Sequence, residues 1–427
     1  MKVTGIIAEY NPFHNGHVYH LTEARKRLDS DYIVVVMSGN YVQRGAPTII
    51  DKYSRAEMAL RGGADLVLEL PSCFATASAE YFAFGGVAIL DKLGVVDNLC
   101  FGTESLDDDA GNSNPELKKA ASSLVEKFGK IASLIIEEPE EYKVLLKERL
   151  KSGNNHAAAN AYAVGKILGE EYQKIIETSN NILGVEYLKA IKKLESNIKA
   201  VPIPRLLTSH NDQVITEGFA SASAIRNAVF NKYDMNSIRS VVPQEAFDIL
   251  MDRYLVTFPV FRDDFSVILG SKLVSAQKIT DLTKYFGVSN DLAGRILNLK
   301  NDFQSFSQFR ELIYGKHVTK ATVGRALMHI ALGIHEDYME KLYHKENLTA
   351  VKVLGFRKSA EPLLSEIKVS SEINLVTKLS DYVNDADGDG ADMIRQTTKH
   401  DMLYRMVCMN KYGVSLKTPF EKEIIIV

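Results

Sequence analysis

The chain has 427 residues, a formal net charge of −3, 46% hydrophobic and 25% charged residues, and three widely separated cysteines. This composition excludes a disordered chain and a disulfide scaffold, and the length suits two or three domains. No stretch approaches the roughly 20 apolar residues that span a bilayer, and no signal peptide is visible. We therefore expect a cytoplasmic protein that has no membrane partner and no DNA partner, since the negative net charge argues against indiscriminate nucleic-acid binding.

Strand and helix signals alternate through the first 100 residues. Apolar runs at 3–8, 32–37, 65–70 and 98–101 predict strands, and helical patterns separate them. Short apolar strands with helical crossovers predict an α/β fold with a doubly wound parallel sheet. In such sheets ligands bind at the carboxyl ends of the strands, so the polar stretches after each strand are the candidate site.

Residues 6–17, IIAEYNPFHNGH, predict a strand, a turn and the start of a helix. The start of that helix would present backbone N–H groups to an anion, and His14 and His17 would lie on one side of the turn. Each imidazole can donate a hydrogen bond to a phosphate oxygen, while Gly16 lets a nucleotide approach closely. The alternatives are an ordinary buried turn and a zinc pair, although two histidines without other ligands make a poor metal site, and we assign no metal ligand.

Further polar residues follow the other predicted strands. The loop at 38–45 contains Gln43 and Arg44, which we expect to face a phosphate or a nucleic acid unless this loop is only a solvated surface. Gly102 ends the fourth strand, where the backbone can approach a base or a ribose.

A helical insertion is predicted at about 115–175, and it is followed by an asparagine pair at 180–181 that begins another helix. A fifth strand at 198–203 delivers Arg205 to the carboxyl edge, where a guanidinium matches a phosphate. Ser223 and Arg226 begin a later helix and are expected to hold the triphosphate from the far side. Plain helix capping with a surface arginine is the competing interpretation.

After residue 232 the pattern becomes mainly helical, which predicts an N-terminal domain at 1–232 and a C-terminal domain at 233–427. Lysines and arginines are concentrated between residues 291 and 325, with Lys316 and Lys320 in the densest part. Such runs are often only solvated faces, so nucleic-acid binding by this domain is one of two interpretations. The chain contains no P-loop, so ATP, if used, binds at the histidine turn.

Taken together, the motifs at 6–17, 37–45, 65–71, 101–102, 180–184 and 223–226 resemble those of the bacterial tRNA(Met) cytidine acetate ligases, members of the HxGH nucleotidyltransferase superfamily. The resemblance implies a Rossmann-like nucleotidyltransferase domain. It also implies that ATP and acetate give acetyl-adenylate, whose acetyl group passes to N4 of the wobble cytidine of elongator tRNA(Met). Mg²⁺ is expected with the ATP.

The family resemblance and the chemistry of the individual residues together define an expected site. His14 and His17 are the expected catalytic residues, and Gln43, Arg44, Lys316 and Lys320 are the expected tRNA contacts. The expected ATP-binding residues are Ile7, Ala8, Glu9, Tyr10, Asn11, Pro12, Phe13, His14, Asn15, Gly16, His17, Val18, Tyr19, His20, Gly102, Asn180, Arg205, Ser223 and Arg226.

Two other functions compete with this one. The first is a nucleotidyltransferase or acyl-adenylate ligase that acts on a small metabolite, but such enzymes are often complete within about 230 residues. The second is a non-catalytic RNA-binding adaptor, which predicts loss of the phosphate-facing residues. His14, Gly16, His17, Arg205 and Arg226 are all present.

Overall fold

The computed structural model describes residues 1–106, 115–205, 218–232, 235–315 and 318–427. Up to residue 232 the elements are β1 (Val3–Ala8), α1 (Asn15–Leu28), β2 (Tyr32–Ser38), β3 (Tyr41–Val42), β4 (Ala46–Pro47), α2 (Lys52–Arg61), β5 (Leu66–Leu70), α3 (Ser72–Ala75), α4 (Ala79–Lys92), β6 (Asn98–Thr103), α5 (Pro115–Glu137), α6 (Glu140–Lys151), α7 (His156–Leu168), α8 (Glu170–Ile175), α9 (Ser179–Lys193), β7 (Lys199–Pro204) and α10 (Ala222–Lys232).

The remainder is mainly helical, as the sequence predicts. Its elements are α11 (Gln244–Arg253), α12 (Ser266–Ser275), α13 (Ile279–Thr283), α14 (Asn290–Leu299), α15 (Phe306–Ile313), α16 (Lys320–Leu332), α17 (Glu336–Leu342), β8 (Ala350–Phe356), α18 (Glu361–Ser370), β9 (Asn374–Val376), α19 (Leu379–Asp385), α20 (Asp389–Tyr412) and β10 (Ile425–Ile426). No helix in the described part of the chain is long and apolar enough to cross a membrane.

The main sheet has the strand order β10-β8-β5-β2-β1-β6-β7, with β9 paired to β8. Its strands β5, β2, β1, β6 and β7 run parallel, which confirms the predicted doubly wound α/β fold. Alternate residues of each strand point to opposite faces, so each face has its own apolar core. In β2, Val34 and Val36 pack towards α4, whereas Ile33 and Val35 pack towards α1 and α2.

The C-terminal part also contributes to this sheet, which the sequence did not reveal. Strand β8 pairs with β5 in the antiparallel direction, with Leu66 opposite Phe356. Strand β10 then pairs parallel to β8 at Ile425. The predicted division at residue 232 stays a prediction, and strands from both sides of it share one sheet.

Candidate active site

The turn after β1 is held by buried aromatic rings. Tyr10 adopts a left-handed backbone conformation with φ of 48°, which turns the chain out of the strand. Its ring packs edge-on against Phe13, with 5.0 Å between centroids, and both side chains are buried. Asn11 Oδ1 accepts a hydrogen bond of 2.9 Å from the backbone N–H of Ile49. The turn is therefore fixed by packing and by side-chain hydrogen bonding before any ligand arrives.

His14 and His17 meet at the start of α1. His14 caps the helix, because its Nδ1 accepts from the backbone N–H of Gly16 at 3.1 Å. The backbone N–H of His14 in turn donates to Nδ1 of His17 at 3.2 Å, and the two rings stack with 3.7 Å between centroids. A Cβ at Gly16 would lie 2.9 Å from Cε1 of His14, so the glycine makes room for the capping ring.

These contacts determine which ring nitrogens carry hydrogen. Because both Nδ1 atoms accept backbone hydrogen bonds, each neutral imidazole has its hydrogen on Nε2. Burial, reinforced by the nearby charges of Arg205 and Arg226, lowers the pKa of His14 to about 3. Burial and the neighbouring His14 also hold the pKa of His17 well below its ordinary value. At neutral pH the pair therefore offers two uncharged Nε2–H donors.

Positive charge comes instead from arginines on two other elements. Arg205 follows β7 with its side chain 46% exposed, and its Nη1 lies 3.7 Å from Oε1 of Glu104. A Cβ at Gly102 would lie 3.0 Å from Cγ of Arg205, so Gly102 allows the arginine to cross β6. Asn180 Nδ2 donates to the same Glu104 oxygen. Arg205, Gly102 and Asn180 thus converge on the carboxyl edge of the sheet, as the sequence predicts.

Arg226 approaches the turn from α10. Its Nη1 donates to the carbonyl of Asn11 at 2.6 Å, and its Nη2 donates to Oγ of Ser223 at 2.9 Å. Asn15 Nδ2 donates to the carbonyls of Gly218 and Ser240 at 2.8 and 3.1 Å. The turn after β1 is therefore also held in place by hydrogen bonds to α10 and to the residues just before and after that helix.

Three further predicted residues, Ile7, Glu9 and His20, also lie near the turn. Ile7 packs beneath Gly86 of α4, and His20 Nε2 lies 3.6 Å from Sγ of Cys100 in β6. Glu9 faces the β3–β4 hairpin, where its Oε1 accepts from the backbone N–H of Gln43 at 2.9 Å. Ile7 and His20 thus support the site from below, and Glu9 joins it to the predicted RNA-facing loop.

The predicted tRNA contacts are more dispersed. Arg44 is exposed at the tip of the β3–β4 hairpin next to Gln43. Lys320 begins α16 and pairs with Glu311 at 2.5 Å. Lys316 lies outside the described residues.

Comparison with known proteins identifies the family to which the chain belongs. The model of the HIGH Nucleotidyl Transferase family matches residues 1–417. The tRNA(Met) cytidine acetate ligase of Acetivibrio thermocellus is 39% identical over 91% of this chain and 90% of its own length. The chain belongs to the tRNA(Met) cytidine acetate ligase family.

Further relatives and solved structures agree with this membership. The ligase of Caldanaerobacter subterraneus subsp. tengcongensis is 38% identical over 90% of each chain. Thermotoga maritima TmcAL bound with alpha-thio ATP is 33% identical, with a TM-score of 0.87 and complete coverage of both chains. The apo form of that protein matches with a TM-score of 0.89.

Two residues at this site were not predicted from the sequence. Glu104 accepts a hydrogen bond from Asn180 and lies 3.7 Å from Arg205, and its second oxygen, Oε2, is buried without a hydrogen-bond partner among the described residues. Arg55 is fully buried in α2 and donates to the carbonyls of Ile50 and Glu9 at 3.2 and 2.7 Å. The position of Glu104 after β6 was a usable signal, whereas Arg55 lies inside a helical pattern that gives none.

Proposed function

We propose that this chain is an ATP-dependent ligase that activates acetate and acetylates N4 of the wobble cytidine of elongator tRNA(Met). The observation that carries the proposal is the stacked His14–His17 pair, whose Nε2–H donors lie at a helix start between Arg205 and Arg226. Such an arrangement stabilises negative charge that grows on a phosphate. Family membership supplies the substrates, since the relatives are named for tRNA(Met), cytidine and acetate.

The proposed reaction has two steps. An acetate oxygen attacks the α-phosphorus of ATP, the bond to the β,γ-unit breaks, and diphosphate leaves. The N4 amine then attacks the acetyl carbon, AMP leaves, and one N4 proton is released. Two neutral imidazole donors and two arginines suit the first step, because they stabilise the anionic transition state while the helix start adds its N–H groups.

Activation before transfer follows from the chemistry of the nucleophile. The lone pair of the cytosine N4 amine is delocalised into the ring, so it does not attack free acetate. Holding acetyl-adenylate and cytidine in one site makes the second step effectively intramolecular. An anticodon loop offers single-stranded bases that can be splayed out and read on their edges.

We propose that Mg²⁺ arrives bound to the triphosphate. Within the described ranges, no group of three or more His, Cys, Asp or Glu side chains is arranged to hold a metal ion. Mg²⁺ commonly keeps its waters and binds through substrate phosphates, so the phosphates are its natural ligands here. We further propose a cytoplasmic location and tRNA contacts by Gln43, Arg44 and Lys320, with residues 233–427 contributing to tRNA binding.

The test is diphosphate release from ATP by the purified protein, with and without acetate and with and without unmodified elongator tRNA(Met). Nucleoside mass analysis of the tRNA follows. We expect acetate-dependent release and one acetylated cytidine in the tRNA. Release that ignores acetate, or release that needs a phosphorylated small molecule, would assign the chain to the metabolite nucleotidyltransferases instead.

A further inference from the structure

Four arginines collect around the tip of the β3–β4 hairpin, and we name Arg226, Arg44, Arg262 and Arg310 the arginine row. Arg262 anchors to the hairpin, since its Nε donates to the carbonyl of Gly45 at 3.1 Å and its Nη2 to the carbonyl of Arg44 at 3.3 Å. Arg310 packs at the same place, because a Cβ built on Gly324 would lie 2.8 Å from the Arg44 carbonyl and 3.6 Å from Cδ of Arg310.

Carboxylates neutralise only one member of the row, Arg310, which pairs with Glu311 at 2.7 Å. Arg226 and Arg262 donate to backbone carbonyls and to Ser223, and no carboxylate in the described ranges lies within ion-pair distance of Arg44, Arg226 or Arg262. The acids that face the row are already used. Glu9 accepts from Gln43, Asp263 accepts from the backbone N–H of Ser307 at 2.6 Å, and Glu311 is shared by Arg310 and Lys320.

The row is electrostatically costly without an anion. Burial, with Arg310 and Arg226 nearby, lowers the pKa of Arg262 to about 10. Burial also lowers the pKa of Arg226, and Arg44 adds to that effect. Within the described ranges Arg44, Arg226 and Arg262 lack a carboxylate partner, and clustered arginines of this kind are typical of phosphate-binding surfaces because a planar guanidinium still has N–H donors to offer.

An exposed aromatic ring lies at the far end of the row. Tyr314 comes four residues after Arg310, at the end of α15, and is 44% exposed. Its carbonyl accepts from Nη2 of Arg295 at 3.1 Å, and Nζ of Lys320 lies 5.1 Å from the centre of its ring. A large exposed ring with a cation beside it is a platform on which a nucleobase can stack.

We infer that the arginine row and Tyr314 form a track for single-stranded RNA that begins at the ATP site. Phosphodiester groups bind along Arg44, Arg262 and Arg310, and one splayed base stacks on Tyr314. This inference rests on the proposed function, because it supplies the path by which a cytidine in a loop reaches the activated acetyl group. It adds Arg262, Arg310 and Tyr314 to the contacts expected from the sequence.

RNA fits this surface better than an acidic peptide does. Arg226 links the row directly to the histidine turn through the carbonyl of Asn11, and the cytidine must be delivered to that turn. The guanidinium groups match the phosphates of a strand, and the exposed ring of Tyr314 matches one of its bases. An acidic peptide would use the cations and leave Tyr314 without a stacking partner.

The experiment measures the Kd for unmodified elongator tRNA(Met) across a series of salt concentrations for Arg310→Gln, Tyr314→Ala and Tyr314→Phe. Arg310→Gln is expected to weaken binding and to reduce the slope of log Kd against log salt by about 0.7. Tyr314→Ala is expected to weaken binding about 5- to 100-fold with little change in that slope, while Tyr314→Phe binds normally.

The matched control is Lys368→Gln. Lys368 is an exposed lysine of α18. It lies two residues before Ser370, whose carbonyl lies next to Gly94 at the amino edge of the parallel strands, away from the candidate site. If Arg310→Gln and Tyr314→Ala bind tRNA as this control does, the inference is wrong. It is also wrong if a polyglutamate peptide competes with tRNA for the surface while single-stranded RNA does not.

Diphosphate release without tRNA separates this inference from the proposed function. If the unaltered protein shows no acetate-dependent release, the proposed function fails. If release is normal and tRNA binds, but the row variants have no effect on binding, only the RNA track fails. Thermal unfolding of each variant confirms that loss of binding is not loss of fold.

Discussion

The two halves of the carboxyl edge of the sheet use charged residues in opposite ways. At the ends of β1, β6 and β7, Arg205 stands 46% exposed beside the stacked histidines, and we call this half of the edge open with respect to the residues that the structure describes. At the ends of β2 and β5, and at the start of the antiparallel β8, the edge is sealed by α20, and Lys52 is only 1% exposed. The open half keeps donors available for a ligand, whereas the sealed half pairs Lys52 internally with Glu69 and Asp401.

The sealed half is organised around one lysine. Nζ of Lys52 lies 2.6 and 2.7 Å from the two carboxylate oxygens of Glu69 and also contacts Asp401 of α20. Asn40 completes the cluster, since its Nδ2 donates to Asp401 at 2.9 Å and its Oδ1 accepts from the backbone N–H of Lys52 at 2.9 Å. In this half, α20 covers the polar side chains and supplies Asp401 as their partner.

The largest expected effect is a loss of stability when the charge of Lys52 is removed from the sealed half. Lys52→Met leaves Glu69 and Asp401 buried without their shared cation, so we expect the free energy of unfolding to fall by about 3–5 kcal/mol. Denaturant unfolding measures it, and Lys399→Met, an exposed lysine of the same helix α20, is the control. A loss below about 1 kcal/mol would show instead that Lys352, buried in the same cluster, replaces the missing charge.

In the open half, the equivalent change should reduce activity rather than stability. His17→Ala removes one Nε2–H donor, and we expect acetate-dependent diphosphate release to fall by about 10²–10³-fold while tRNA still binds. His156→Ala, an exposed histidine at the start of α7, is the control for removal of an imidazole. Equal loss of release and of tRNA binding would mean that the variant is misfolded.

The sequence was most informative where the site is built from neighbours along the chain. The turn between strand 3–8 and the helix that starts near Gly16 was predictable, because apolar runs, the proline at 12 and the HxGH spacing are local signals. Arg205 was also predictable, since a residue that follows a parallel strand lies at the carboxyl edge. The roles of these residues stay predictions.

The sequence was least informative where distant segments meet. Ser38 to Asn40 ends a strand just as Gly102 to Ser105 does, yet Asn40 is bound to Asp401, 361 residues away. Nothing local reveals that α20 covers the end of β2. The arginine row has the same origin, because Arg44, Arg262 and Arg310 become neighbours only when the hairpin packs on the C-terminal helices.

A smaller effect is the pH dependence of stability that buried histidines produce, and His329 of α16 is the example that we test. Burial lowers the pKa of His329 to about 4, although its Nδ1 lies 2.8 Å from the Phe286 carbonyl. Its pKa in the unfolded chain is about 6.5, so its contribution is complete above that value and is lost as the pH falls towards the folded pKa. We expect the protein to be less stable at about pH 5 than at about pH 7, with His329 contributing about 1–2 kcal/mol of the loss.

The check is denaturant unfolding of the unaltered protein and of His329→Gln at both pH values. The glutamine amide retains a donor for the Phe286 carbonyl but does not titrate, so this variant should lose less stability on acidification. His400, whose pKa burial also lowers to about 4, supplies part of the remaining loss. An equal loss in both proteins would contradict the assignment to His329.

The smallest expected effect concerns the open half, where buried histidines should leave the rate independent of pH. Burial lowers the pKa of His14 to about 3 and that of His20 to about 4, so both are neutral throughout the working range. We expect the rate of acetate-dependent diphosphate release to change less than about twofold between about pH 6.5 and about pH 8.5. In this range the buried histidines also cause little change in the free energy of unfolding. A rate that follows a single pKa near 6.5 would show that one of these imidazoles works as a cation or as a base. The two halves of the edge would then differ less than we propose, because the open half would use a group that titrates in addition to neutral hydrogen-bond donors.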